Sequence, residues 1–178
     1  MKKKMNIAVV GLGNIGLSLY KHLTKNKKII KQKTGTDFEI KYVSAKNRSK
    51  RRKIKIPKNK WLKNYIYASK FKNIDLVIEL IGGAEGPAKK LVFASLKNKK
   101  HVVTANKALI SKYGNQLAKL AEKKKVNLEY EASVAGGVPI VRVLKESLIA
   151  NKIFKIYGIL NGTCNYILSE MEKTKDNF

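Results

Sequence analysis

A glycine triad set between a short apolar run and an amphipathic segment constrains this chain more than any other feature. Ile7-Ala-Val-Val10 is too short for a helix and is bounded by glycine, so it predicts a buried parallel strand. Gly11, Gly13 and Gly16 follow at once. In this spacing the first glycine permits a tight turn, the second lets backbone approach a pyrophosphate, and the third lets helix pack on strand. Ile15, Leu19 and Leu23 recur at helical spacing, which predicts a helix from about Asn14 to Asn26. The free amides of its first turn, at Asn14, Ile15 and Gly16, then face the phosphates. The fold class that follows is α/β, a Rossmann-type doubly wound parallel sheet.

The rest of the chain keeps that rhythm. A polar stretch from Lys25 to Asp37, with its turn at Thr34-Gly-Thr-Asp, precedes a strand over 38–43. The residue after this strand meets the adenosine ribose in such folds: an acid accepts from a 2′-hydroxyl, whereas arginine or lysine accommodates a 2′-phosphate. No acid stands between Glu39 and Asp75, and Ser44-Ala-Lys-Asn-Arg follows the strand. Arg48 and then Lys46 are the candidates, favouring NADP(H) with NAD(H) possible; a charged surface loop is the alternative. Residues 54–71 read as an irregular connection with a short strand near Ile66. A strand over 74–81 ends at Gly82-Gly83, and another over 101–104 precedes a helix from Lys107 to about Lys124. Ile81, Gly82, Gly83, Thr104 and Lys107 all fall at carboxyl ends of strands, where open parallel sheets bind ligands. An ammonium at Lys107 could anchor substrate or transfer a proton. A last strand over 126–134, a helix over 139–149, a strand over 153–160 and a helix capped by Asn161-Gly-Thr-Cys-Asn complete the reading.

The formal charge of +27 suggests a polyanion as partner. Only four of the 39 basic residues are arginine, and lysine is abundant together with isoleucine and asparagine, all encoded by A/T-rich codons. Base composition therefore accounts for the excess, and nucleic acid is not expected as a partner. Cys164 is the single cysteine, so no intramolecular disulfide can form and a reducing compartment fits. No apolar run approaches the roughly 20 residues of a membrane span. A soluble cytoplasmic protein is expected.

Five segments carry a family resemblance: Gly11-Leu-Gly-Asn-Ile-Gly16, Val77-Ile-Glu-Leu-Ile-Gly-Gly83, Val102-Val-Thr-Ala-Asn-Lys107, Tyr130-Glu-Ala-Ser-Val-Ala-Gly-Gly-Val-Pro-Ile140 and Gly158-Ile-Leu-Asn-Gly-Thr-Cys-Asn-Tyr-Ile-Leu168. The first occurs in many families, but the last three, in this order, are specific. The chain resembles homoserine dehydrogenase. The resemblance implies NAD(P)H-dependent interconversion of L-aspartate 4-semialdehyde and L-homoserine, on the route to threonine and methionine. It implies a catalytic lysine at Lys107 and a sodium ion held largely by backbone carbonyls at Glu131, Val134, Gly136 and Val138; irregular turns of carbonyls suit a hard cation. It also implies a nucleotide-binding domain over residues 1–134, the opening of a substrate and dimerisation domain over 135–178, and a homodimer. Cys164 stands where the family commonly has threonine or another small residue. The family's substrate-binding stretch lies downstream of the asparagine-glycine-threonine segment, so the 178 residues alone are expected to be inactive. A non-catalytic nucleotide- or polyanion-binding protein on the same fold is the alternative, and a different amino-acid or semialdehyde dehydrogenase is opposed by residues 131–139.

Overall fold

The computed structural model describes residues 3–158 and 162–175. Strand β1 (Lys3–Val10) leads into α1 (Asn14–Lys25) through the glycine turn. α2 (Lys27–Thr34) follows, then β2 (Thr36–Ser44), α3 (Tyr67–Lys70), β3 (Leu76–Glu79), α4 (Pro87–Lys97), β4 (His101–Thr104), α5 (Lys107–Lys124) and β5 (Leu128–Glu129). The five strands form one all-parallel sheet in the order β2-β1-β3-β4-β5.

Alternation along β1 explains the two layers. Ile7 and Val9 pack with Leu12, Leu17, Tyr20 and Leu23 of the α1 side, while Ala8 and Val10 pack with Leu62, Ala68 and Leu91 on the other face. Both faces are covered, so the strand reads as a continuous apolar run rather than an alternating one. A third cluster joins α4 and α5 over β4 and β5 through Val92, Leu96, Val102, Leu109, Leu117 and Leu128.

Four expectations are corrected. The polar stretch after α1 is helical: Gly35 ends α2 in the left-handed conformation, and Lys27 and Lys31 pair with Asp37 at 3.2 and 2.9 Å. No strand forms near Ile66, which instead leads into α3. The same connection adds one parallel bridge to β2, between Val43 and Trp61, and the lysine-rich segment around Pro57 lacks an apolar run to extend it. The last strand is two residues rather than nine, because Tyr130 turns out of extended geometry into a 3-10 turn at Glu131–Ser133. Residues 153–158 form no strand; they lie exposed, and Ile159 and Leu160 fall outside the described residues.

The helix from residue 139 begins as α6 (Ile140–Arg142) and continues as a π-type turn, Val143–Ser147. The last helix is α7 (Gly162–Thr174). Asn161, expected as its cap, lies outside the described residues. No helix among the described residues is long and apolar enough to cross a membrane.

Candidate functional site

Two of the three glycines of the β1–α1 turn are required by steric contact within the protein, and the third faces open space. Gly11 has φ +106°, and a Cβ there would stand 2.2 Å from the Leu80 carbonyl oxygen. A Cβ on Gly16 would stand 2.0 Å from the Gly11 carbonyl oxygen. Gly13 differs: nothing lies within 4 Å of its Cβ direction. The first and third glycines thus fit β1 to β3 and the helix to the turn, whereas the second leaves open space beside the start of α1. No side chain caps that helix. Its first amides have no intrahelical acceptor, and they carry the positive end of the dipole. Asn14 and Ile15 are exposed there. Open backbone at Gly13 and uncapped amides together fit a pyrophosphate.

Across the sheet edge, the ends of β3 and β4 are joined by a buried polar chain whose centre, Glu79, was not among the residues singled out from sequence. Its side chain is fully buried. Oε1 accepts from the amides of Ile81 and Gly82 at 2.7 and 3.2 Å, and Oε2 accepts from the Thr104 hydroxyl at 2.5 Å. Thr104 Oγ1 in turn accepts from the Asn106 amide at 3.0 Å. Asn106 donates from Nδ2 to the Gly83 carbonyl at 2.7 Å and accepts at Oδ1 from the Leu109 amide at 3.1 Å, capping α5. Three donors to one carboxylate offset its burial. The chain fixes the Ile81-Gly82-Gly83 turn, with Gly82 and Gly83 at φ +84° and +79°, against the start of α5. The sequence signal for Glu79 is an acid inside an apolar strand, Val77-Ile-Glu79-Leu.

Lys107, the first residue of α5, is exposed at this edge. Further along α5, Glu85 ties the loop after Gly83 to the helix: it accepts from Lys112 at 2.8 Å, from the Tyr113 hydroxyl, and from Lys89 at 3.1 Å. Hydrogen bonds from Lys112, then Tyr113 and Lys89, hold its carboxyl down at about 2.

Lys46 and Arg48 line an open cavity of about 820 Å³ after β2, with Asn47, Ser49, Lys58 and Trp61. The Arg48 guanidinium lies 5.6 Å from the Trp61 ring centroid. The structure thus groups the predicted cofactor residues along the carboxyl ends of β1, β2, β3 and β4.

Glu131, Val134, Gly136 and Val138 lie in the turn before α6. The Glu131 carboxylate accepts from the Val141 and Arg142 amides at 3.1 and 2.8 Å, so it caps the following helix. Any cation here would rest on main-chain oxygens. The carbonyls of Glu131 and Val138 accept from the Val134 and Ile140 amides. Each keeps a second lone pair, so the donor set fits a hard cation. Among the described residues no group of three or more His, Cys, Asp or Glu side chains is placed to hold a metal.

Comparison with known proteins matches these elements. The family described as "Homoserine dehydrogenase, NAD binding domain" matches residues 11–131, and the one described as "Homoserine dehydrogenase" matches residues 139–178. The homoserine dehydrogenase of Neisseria gonorrhoeae is 41% identical over 176 residues, 99% of this chain and 40% of that protein. The solved homoserine dehydrogenase of Thiobacillus denitrificans superposes with a TM-score of 0.84 at 37% identity, covering 98% of this chain and 40% of its own. A hyperthermophilic archaeal homoserine dehydrogenase, solved in complex with NADPH, shares the fold at a TM-score of 0.64 and 18% identity. The chain spans about 40% of the length of the curated relatives it matches. With a nicotinamide-cofactor domain matched over residues 11–131 and its glycine turn and strand ends built as described, the chain belongs to the homoserine dehydrogenase family.

Proposed function

We propose that these residues supply the cofactor half of an NADP(H)-dependent interconversion of L-aspartate 4-semialdehyde and L-homoserine. The observation that carries the reading is the continuous sheet edge running from the open Gly13 turn to the Glu79-ordered loop and Lys107. When bound, the nicotinamide supplies or accepts the hydride. Gly11 and Gly16 shape the turn, and Asn14, Ile15 and Gly16 present amides to the pyrophosphate. Ile81, Gly82, Gly83 and Thr104 shape the nicotinamide end. Lys107 orients the substrate carbonyl and moves the proton that balances hydride transfer.

The acid-free basic loop supports NADP(H) over NAD(H), with Arg48 the main phosphate ligand and Lys46 beside it. The carbonyl set of Glu131, Val134, Gly136 and Val138 would hold sodium, and a rise in melting temperature in sodium over choline chloride is expected. We place the division between cofactor domain and substrate domain at residues 134 and 135. Exposed apolar side chains beyond it support a homodimer or cover by further residues of the protein; a cytoplasmic location suits the cofactor.

The test is to titrate residues 1–178 with NADPH and NADH, then assay homoserine oxidation with NADP⁺ on this chain and on a form extended to the length of its relatives. Tighter NADPH binding by both, with turnover only in the extended form, is expected. Correct placement of substrate can supply roughly 7–11 kcal/mol of the barrier. Robust turnover by residues 1–178 would overturn the division of labour, and tighter NADH binding would overturn the cofactor assignment.

A further inference from the structure

We infer that Arg52 is a positioning residue for the 2′-phosphate of NADP(H), acting through Arg48; the inference rests on the NADP(H) reading above. The Arg52 guanidinium reaches back over the loop that follows β2. Nη2 donates to the Asn47 carbonyl at 2.7 Å, and Nη1 donates to the carbonyls of Lys50 and Arg48 at 2.9 and 3.1 Å. Three carbonyls of one short loop therefore accept from a single planar cation. That cation also lies 5.1 Å from the Trp61 ring centroid, and Arg48 lies 5.6 Å from the same centroid. The indole itself is anchored: Trp61 bridges Val43, and the next amide, Leu62, donates to the Val43 carbonyl at 3.0 Å.

Two further features point to a dianion. Arg48 and Arg52 share one indole, with Lys46 and Lys58 lining the same cavity, and the chain holds no acid between Glu39 and Asp75. Cations gathered around one ring and one cavity repel one another, and a bound anion offsets that repulsion. Arg52 has committed its terminal nitrogens to the loop, and its Nε is buried without a hydrogen-bond partner among the described residues. Arg48, exposed, keeps its guanidinium donors uncommitted among the described residues, so it is the group that meets phosphate. Arg52 contributes by removing freedom from the loop that carries it. Rigidity gained before binding is retained as affinity. Lysine cannot replace it, because an ammonium lacks the planar fork and the stacking face.

Isothermal titration of the protein with NADPH and with NADH tests this, using Arg52→Lys, Arg52→Ala, Arg48→Ala and the Arg48→Ala/Arg52→Ala double variant. Arg52→Lys and Arg52→Ala are each expected to weaken NADPH by about 10-fold while NADH stays within about 2-fold, and Arg52→Ala is expected to add nothing once Arg48 is gone. Should the unmodified protein bind NADH as tightly as NADPH, the cofactor reading fails and this inference with it. Should it prefer NADPH while Arg52→Lys keeps the full preference, weakens both cofactors equally, or adds to Arg48→Ala in an Arg52→Lys double variant, the positioning role alone is overturned. Arg52→Lys keeps charge and length, so it decides the matter if Arg52→Ala does not fold.

Discussion

Residues 3–131 and residues 138–175 carry similar apolar side chains and treat them oppositely. Ile7, Val43, Val77 and Leu91 are sealed within the sheet and helix layers, whereas Ile149, Phe154 and Tyr157 are 79%, 84% and 79% exposed. The run at 153–158 has the alternation of a strand but lies exposed, with no strand beside it among the described residues. Alternation marks a chain that can join a sheet. Joining requires a neighbour to take up its amides and carbonyls. The first region closes on itself, and the second leaves its apolar side chains exposed.

The sharpest test of that contrast is Lys107, which sits on the closed region at the exposed start of α5 and carries the proposed catalytic role. In a catalytically competent form, Lys107→Ala is expected to lower turnover by roughly 10²–10⁴-fold with NADPH affinity nearly unchanged. Steady-state kinetics beside a binding titration measures both; undiminished turnover would make Lys107 an ordinary surface lysine. Next in size is a paired truncation. Leu91→Ala should cost about 2–5 kcal/mol in urea unfolding. Phe154→Ala should stay within about 0.5 kcal/mol in residues 1–178. Equal losses would mean that the second region is already packed in solution. Glu79→Gln replaces an acceptor of three hydrogen bonds with a group that cannot accept them all. A loss of about 1–3 kcal/mol is expected, with weaker NADPH binding, read by the same unfolding curves and titration.

The smallest effect concerns Glu85. Its folded value, about 2, lies below the usual carboxylate range, so its contribution is present above pH about 4.5 and fades as pH falls toward 2. The melting-temperature gap between the unmodified protein and Glu85→Gln should therefore narrow from about pH 6 to about pH 3. A gap that widens would contradict the ion cluster with Lys89, Lys112 and Tyr113.

Local signals were legible where the backbone itself is constrained. Gly11, Gly13 and Gly16, the helix start at Asn14, the strand at His101–Thr104 and the helix over Lys107–Lys124 all emerge from spacing and composition. What escaped depends on contacts distant in sequence. Glu79 matters because Thr104 and the Ile81 and Gly82 amides converge on it. Arg52 matters because Trp61 lies under it, and no periodicity reveals that stacking. Lys27–Thr34 reads as polar linker, yet Asp37 gathers its lysines and Gly35 ends it as a helix.

The single bridge from Trp61 to β2 has a bearing on how the protein behaves when crowded. β2 is a nine-residue edge strand, and such edges are templates on which other chains add. Here the Lys60 ammonium donates to the Ile40 carbonyl at 2.8 Å and the Leu62 amide to the Val43 carbonyl at 3.0 Å. An incoming strand meets occupied acceptors, a bulky indole and a row of ammonium groups. The segment from Pro57 to Leu62 is thus a hem sewn along the sheet, guarding that end against edge-to-edge aggregation.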